Sequence, residues 1–231
     1  MSDEQDLYLA EPSGPARAGG SGGSGGLKPS PPAAGVLVVH DWYGRLPHVR
    51  GVCDELAAAG LVALAPDLYG GRTASNPEQA EALADGLDKA AVPAGLDEAL
   101  RTLRARVDGG PVGVLGWSLG GMFALDRATG GGVGAAVSYY AFLEEEDAAE
   151  LRCPILLHLA ETDEFDPPEY YERFVATLRA AGTEVEVHTW PGTQHSFANR
   201  DVPLHAPEPA AEAWAITVGF LRRHLLGSGD G

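Results

Sequence analysis

Short apolar runs and amphipathic stripes take turns along this chain, and their spacing predicts its elements. Val36-Leu37-Val38-Val39, Val62-Ala63-Leu64-Ala65 and Val112-Gly113-Val114-Leu115 are continuously apolar, the pattern of strands buried on both faces. Ala135 to Tyr140 and Pro154 to Ala160 read the same way, Glu184 to Trp190 alternates as a strand, and Leu7-Tyr8-Leu9-Ala10 is a candidate first strand. Between them apolar residues recur at helical spacing. Val49, Val52, Cys53 and Leu56 form one stripe, closed by Gly60, and Leu96, Leu100, Leu103 and Val107 form another. Tyr171, Phe174, Val175 and Leu178 make a third, and Trp214, Val218, Leu221 and Leu225 mark a closing helix. Asn76 followed by Pro77 predicts an N-cap and first helical residue. Such alternation implies an α/β fold whose mostly parallel sheet carries helices on both faces, with functional residues at the carboxyl ends of the strands.

Gly19 to Gly26 is nearly pure glycine and serine, and proline-rich Pro29 to Pro32 follows it. The expectation is one domain over residues 1–231 with a flexible surface loop at about 17–33. Gly20-Ser21-Gly22-Gly23-Ser24-Gly25 matches a dinucleotide fingerprint in letters only, since no helix is predicted to open after it. A net charge of −17 argues against nucleic acid or an anionic membrane as partner. No apolar run is long enough to span a bilayer, and the acidic start is no signal peptide, so a cytoplasmic monomer or small homo-oligomer is expected. Cys53 and Cys153 make no disulfide framework and read as buried small hydrophobes.

Chemistry concentrates at Gly116-Trp117-Ser118-Leu119-Gly120, which stands between the Val112 strand and the small apolar residues Gly121-Met122-Phe123-Ala124-Leu125 of a predicted helix. A serine flanked at −2 and +2 by glycine, between strand and helix, is the pattern of a nucleophile elbow. The turn is so tight that side chains at the glycine positions would collide with neighbouring backbone. It lifts the hydroxyl above the sheet edge, where the amides opening the next helix face incoming negative charge.

A serine needs a base, and the base needs an acid to orient it. The chain order on such a scaffold is nucleophile, acid, histidine. The strand Pro154 to Ala160 runs into Glu161, Asp163, Glu164 and Asp166, four carboxylates that position alone does not separate. Of seven histidines, His195 alone sits in a loop after the last predicted strand. His158 and His188 fall within strands, and His48, His205 and His224 read as surface or loop residues. His40-Asp41 lacks a third ligand at metal-binding spacing, so neither metal nor cofactor is expected.

From about Val36 to the last helix the chain resembles the dienelactone hydrolase family of α/β-hydrolases. The resemblance rests on Val39-His40-Asp41-Trp42-Tyr43-Gly44, Ala65-Pro66-Asp67-Leu68-Tyr69-Gly70, Gly116 to Gly121, Asp163 to Pro167 and His195-Ser196-Phe197-Ala198. It implies Asp163 as the acid, His195 as the base, and the backbone amides of Trp42 and Leu119 as the oxyanion hole. The family's founding enzymes carry cysteine where this chain has Ser118, and a glutamate where it has Asp41, which is expected to brace the oxyanion loop. Two arginines hold the substrate carboxylate in dienelactone-cleaving members. One matches the region around Pro77, where this chain has no arginine, and the other matches Asn199, with Arg200 one place later. Asp41, Tyr43, Arg72, Tyr140, Phe197 and Arg200 are therefore the candidates for substrate binding or site tuning, with solvated surface charge as the alternative for both arginines. The expected activity is cofactor-free hydrolysis of small carboxylic esters or lactones. A peptidase or acyltransferase on the same residues, or a non-catalytic binding protein on the same fold, are the alternatives.

Overall fold

A computed structural model of the chain describes residues 7–12 and 34–227; the Gly/Ser stretch read as a flexible loop lies outside them. Among the described residues seven strands form one sheet: β1 (Leu7–Ala10), β2 (Ala34–Val39), β3 (Leu61–Pro66), β4 (Val112–Trp117), β5 (Ala135–Tyr139), β6 (Ile155–Thr162) and β7 (Val185–Gln194). Their order is β1-β3-β2-β4-β5-β6-β7, parallel throughout except that β1 pairs antiparallel to β3. Seven helices accompany it: α1 (Pro47–Ala58), α2 (Pro77–Asp85), α3 (Val92–Arg106), α4 (Leu119–Thr129), α5 (Glu145–Ala148), α6 (Pro168–Ala180) and α7 (Pro207–Leu225). The short α5 carries no stripe long enough to be legible in the sequence.

Successive residues of a strand point to opposite faces, so a strand that is apolar throughout feeds two cores. Leu37, Val39, Leu64 and Leu157 pack with α3, α4 and α6, whereas Val36, Val38, Ala63 and Leu156 pack with α1 and α7. The predicted helix start holds: Asn76 Oδ1 accepts from the Gln79 amide at 2.9 Å, and Pro77 occupies the first turn. Cys53 and Cys153 are free and buried. His48 is the main departure, since its ring lies buried at the start of α1, edge-on to Trp117 at 5.0 Å between centroids.

Two strands run further than their apolar runs. β6 continues to Thr162 and β7 to Gln194, with an irregularity between Ala160 and Thr162 that sets Thr162 opposite Gln194. Asp163 and His195 are then each the first residue beyond their strand, side by side at the same edge.

Backbone contact at two glycines sets where the elbow stands. A Cβ on Gly116 would overlap the Gly120 backbone, and one on Gly120 would overlap the carbonyls of Val39 and His40. Gly120→Ala should therefore cost about 3 kcal/mol or more, as overpacking against immovable backbone does. Gly95→Ala, in open space within α3, should instead stabilise by about 0.5–1 kcal/mol. Urea unfolding of both variants checks the contrast, and equal effects would refute it.

Candidate active site

Ser118 sits between β4 and α4 with φ 49° and ψ −122°, a left-handed backbone that a non-glycine residue adopts only when its surroundings impose it. Its amide is spent on the Tyr139 carbonyl at 2.9 Å. The side chain is left for the cleft, where Oγ lies 2.9 Å from His195 Nε2. On the far side of the imidazole, Nδ1 lies 2.8 Å from Asp163 Oδ2. An ionised carboxylate only accepts, so Nδ1 carries the proton and Nε2 is free to accept from the serine hydroxyl. The other Asp163 oxygen accepts from the amides of Phe165 at 3.0 Å and Asp166 at 3.2 Å, which fixes the carboxylate's orientation.

The other three carboxylates after β6 do different things. Glu161 accepts from the Gly192 amide at 2.9 Å, and Glu164 lines a separate depression with Pro77, Glu78 and Glu81. Asp166 accepts from the Tyr171 hydroxyl at 3.3 Å, and burial together with the Asp163 charge raises its pKa. Asp163, Asp166 and His195 bring one potential ligand atom each within 4.8 Å, and both ring nitrogens of that histidine are already engaged by Asp163 and Ser118.

The loop after β2 is braced from several directions. His40 is buried and both ring nitrogens are spent: Nε2 accepts from the Leu68 amide at 3.0 Å, so Nδ1 donates to the Asp41 carbonyl at 2.6 Å. Burial lowers its pKa. Arg45 pairs with Asp67 at 3.4 Å, both buried, and donates to the Ala65 carbonyl at 3.0 Å. The Asp41 carboxylate accepts from the Tyr43 amide at 2.9 Å and from Asn199 Nδ2 at 2.7 Å. Full burial pushes the Asp41 carboxyl up to about 6, against the lowering effect of those two hydrogen bonds.

The serine opens into a cleft of about 400 Å³, within the usual range for small-molecule sites. Trp42, Leu119 and Tyr140 line it, and the Tyr140 ring lies 4.7 Å from that of His195. Met122, Phe142 and Phe165 add apolar wall, while Glu144, Asp147 and Asp166 supply carboxylates. Of these six wall residues only Asp166 was a candidate from the sequence, and then as one of four possible acids. Phe165 had the strongest available signal, two positions after Asp163 in the segment that carries the resemblance. Its ring is 51% exposed and meets both Trp42 and His195 edge-on, at 5.7 and 4.8 Å.

Four of the sequence candidates lie elsewhere. Arg200 is held by Glu55 of α1, at 2.5 and 3.2 Å, and does not line the cleft at Ser118. Arg72 is exposed and donates to the Tyr69 carbonyl at 3.0 Å. Tyr43 packs into a separate small cluster with Ala74, Ala80 and Val202. Phe197 is fully buried behind Tyr140, at 5.7 Å between rings. Beyond it His158 takes part in a buried chain. Trp190 Nε1 donates to its Nδ1 at 3.1 Å, so its Nε2 donates to Thr217 Oγ1 at 3.0 Å. Its pKa falls to about 3 on burial, and its role is structural.

Comparison with known proteins matches residues 24–225 to the model of the dienelactone hydrolase family. The chain belongs to that family. The chain is 31% identical to Protein usf of Aquifex pyrophilus, over 83% of this chain and 88% of that one. A carboxymethylenebutenolidase of Pseudomonas sp. (strain P51) is 31% identical, over 81% and 84%. Among solved structures, a dienelactone hydrolase-like promiscuous phosphotriesterase from metagenomic libraries superposes with a TM-score of 0.74 at 23% identity, over 84% and 87% of the two chains. This dienelactone hydrolase family member is a hydrolase on an α/β-hydrolase fold, and among its described residues no helix is long and apolar enough to cross a membrane.

The hydrogen-bond pattern predicts unequal roles for the two neighbouring aspartates. Asp163→Asn should lower hydrolytic kcat by about 10⁴-fold, because an amide in that place favours the wrong imidazole tautomer. Asp166→Asn should be mild. Steady-state kinetics on both variants checks this, and a larger loss at Asp166 would contradict it.

Proposed function

We propose that this chain hydrolyses small, uncharged carboxylic esters and lactones through an acyl-enzyme on Ser118. The observation that carries the reading is the continuous line from Ser118 Oγ to His195 Nε2 and from His195 Nδ1 to Asp163, opening into the 400 Å³ cleft. His195 takes the serine proton as Oγ attacks the carbonyl, and Asp163 stabilises the imidazolium that forms. The amides of Trp42 and Leu119 receive the oxyanion, each such donor being typically worth ~10²–10³ in rate. His195 then protonates the leaving alcohol. A water molecule, deprotonated by the same imidazole, releases the acid. These steps use protein groups alone. Two free buried cysteines fit a reducing compartment, so we place the enzyme in the cytoplasm.

The preference for uncharged substrates follows from the wall of the cleft. Its lining offers carboxylates at Glu144, Asp147 and Asp166, and among the described lining residues no lysine or arginine. Arg200, the cation nearest the histidine loop in sequence, is committed to Glu55. A substrate carboxylate would enter against like charge, with nothing to pair it.

Two measurements test this. Ser118→Ala should abolish ester hydrolysis while keeping the parent melting temperature, and near-parent turnover in a folded sample would refute the nucleophile. Mono-p-nitrophenyl succinate should be cleaved with a kcat/KM about tenfold below that of p-nitrophenyl butyrate at low salt, narrowing as salt screens the carboxylates. Equal values at low salt would refute the charge argument.

A further inference from the structure

Asn199 is buried, 1% exposed, and all its polar atoms look inward. Its Nδ2 donates to Asp41 Oδ2 at 2.7 Å, across 158 residues of sequence, and its Oδ1 accepts from the Asp201 amide at 2.9 Å. Asp201 in turn accepts from the His48 amide at 2.7 Å, which anchors the histidine loop to the start of α1. The other Asp41 oxygen holds the Tyr43 amide. Asp41 therefore has one carboxylate oxygen on each side of a joint between the loop after β2 and the loop that carries His195.

That joint bears on a single peptide plane. The carbonyl of Asp41 and the amide of Trp42 belong to the same planar unit, so fixing one aims the other. His40 Nδ1 and the Gly44 amide hold the carbonyl, at 2.6 and 3.2 Å. The side chain of Asp41 holds the Tyr43 amide, one peptide further along, and is itself held by Asn199. Neither Asp41 nor Asn199 lines the cleft, so their influence on the reaction runs through the placement of Trp42.

We propose that Asn199 is a positioning residue, which through Asp41 keeps the Trp42 amide in working register with Ser118 and His195. The inference rests on the reading of Trp42 as an oxyanion donor. It assigns to Asn199 a task in the transition state with no contact to substrate.

The chemistry of the pair provides a test that separates positioning from mere folding. Asp41→Asn turns an amide N–H toward the Asn199 N–H while its oxygen stays on Tyr43, donor against donor. Asn199→Asp sets a carboxylate against a carboxylate, acceptor against acceptor. Asp41→Asn combined with Asn199→Asp exchanges the two groups. Asn at position 41 then keeps its oxygen on the Tyr43 amide and donates to Asp at position 199, which still accepts from the Asp201 amide. Every hydrogen bond returns with its direction reversed only across the joint.

The three variants and the parent would be assayed on p-nitrophenyl butyrate, with melting temperatures measured alongside. Each single variant should lose about tenfold or more in kcat with KM nearly unchanged, as small misplacement of a catalytic donor does. The double variant should recover most of that loss. Full activity in either single variant, losses that multiply in the double variant, or an effect confined to KM would overturn the proposal. Ser118→Ala reports separately on the nucleophile, so failure of the exchange would leave the acyl-enzyme reading standing.

Discussion

The structure turns on a backbone-to-backbone contact that only glycine permits. Gly116 and Gly120 allow the end of β4, the start of α4 and the end of β2 to come together with no side chain between them. Because α4 is seated there, Ser118 is forced into its left-handed conformation and its hydroxyl stands clear of the sheet. The same contact brings the His40 carbonyl against Gly120, which places the loop holding Trp42 next to the first amide of α4. Strain at one serine is thus sustained by packing spread over three elements.

Around that contact, four buried groups are paired with fixed hydrogen-bond direction: His40, Asp41, Arg45 and His158. His40 and His158 are both neutral and tautomerically defined by what their rings face. Asp41 and Arg45 tie the β2 loop to the histidine loop and to the residues after β3. A buried group left unpaired would cost about 1–3 kcal/mol, so these loops have few alternative conformations. Rigid loops suit a reaction in which donors must already point at charge before it forms.

Much of this was legible in the sequence because it is local. Six of the seven described strands are built on continuous apolar or alternating runs between turn residues, some extending past them, and the first was a candidate on four residues alone. The elbow declares itself through glycine spacing. Asp163 and His195 follow strand ends in the expected order, although choosing Asp163 among four carboxylates needed the family resemblance. What was hidden is long-range or geometric. The pairing of Thr162 with Gln194, which sets Asp163 beside His195, depends on a register shift that no hydrophobic pattern records. Arg200 could not be assigned without its partner Glu55, 145 residues earlier. His48 reads as surface because its burial comes from a residue distant in sequence, Trp117, on the sheet face that α1 covers. The cleft wall from Phe142 to Asp147 precedes and enters a helix of four residues, too short to show a period.

The proposed reaction stands or falls with a covalent intermediate on Ser118, which rapid-quench kinetics with p-nitrophenyl acetate detects. A burst of p-nitrophenol equal to the enzyme concentration should appear wherever deacylation is the slower step. An acetyl group should be recovered by mass spectrometry on the peptide that contains Ser118. Turnover with no acetyl-enzyme under any quench, or acetyl carried on a residue other than Ser118 in the productive cycle, would contradict it.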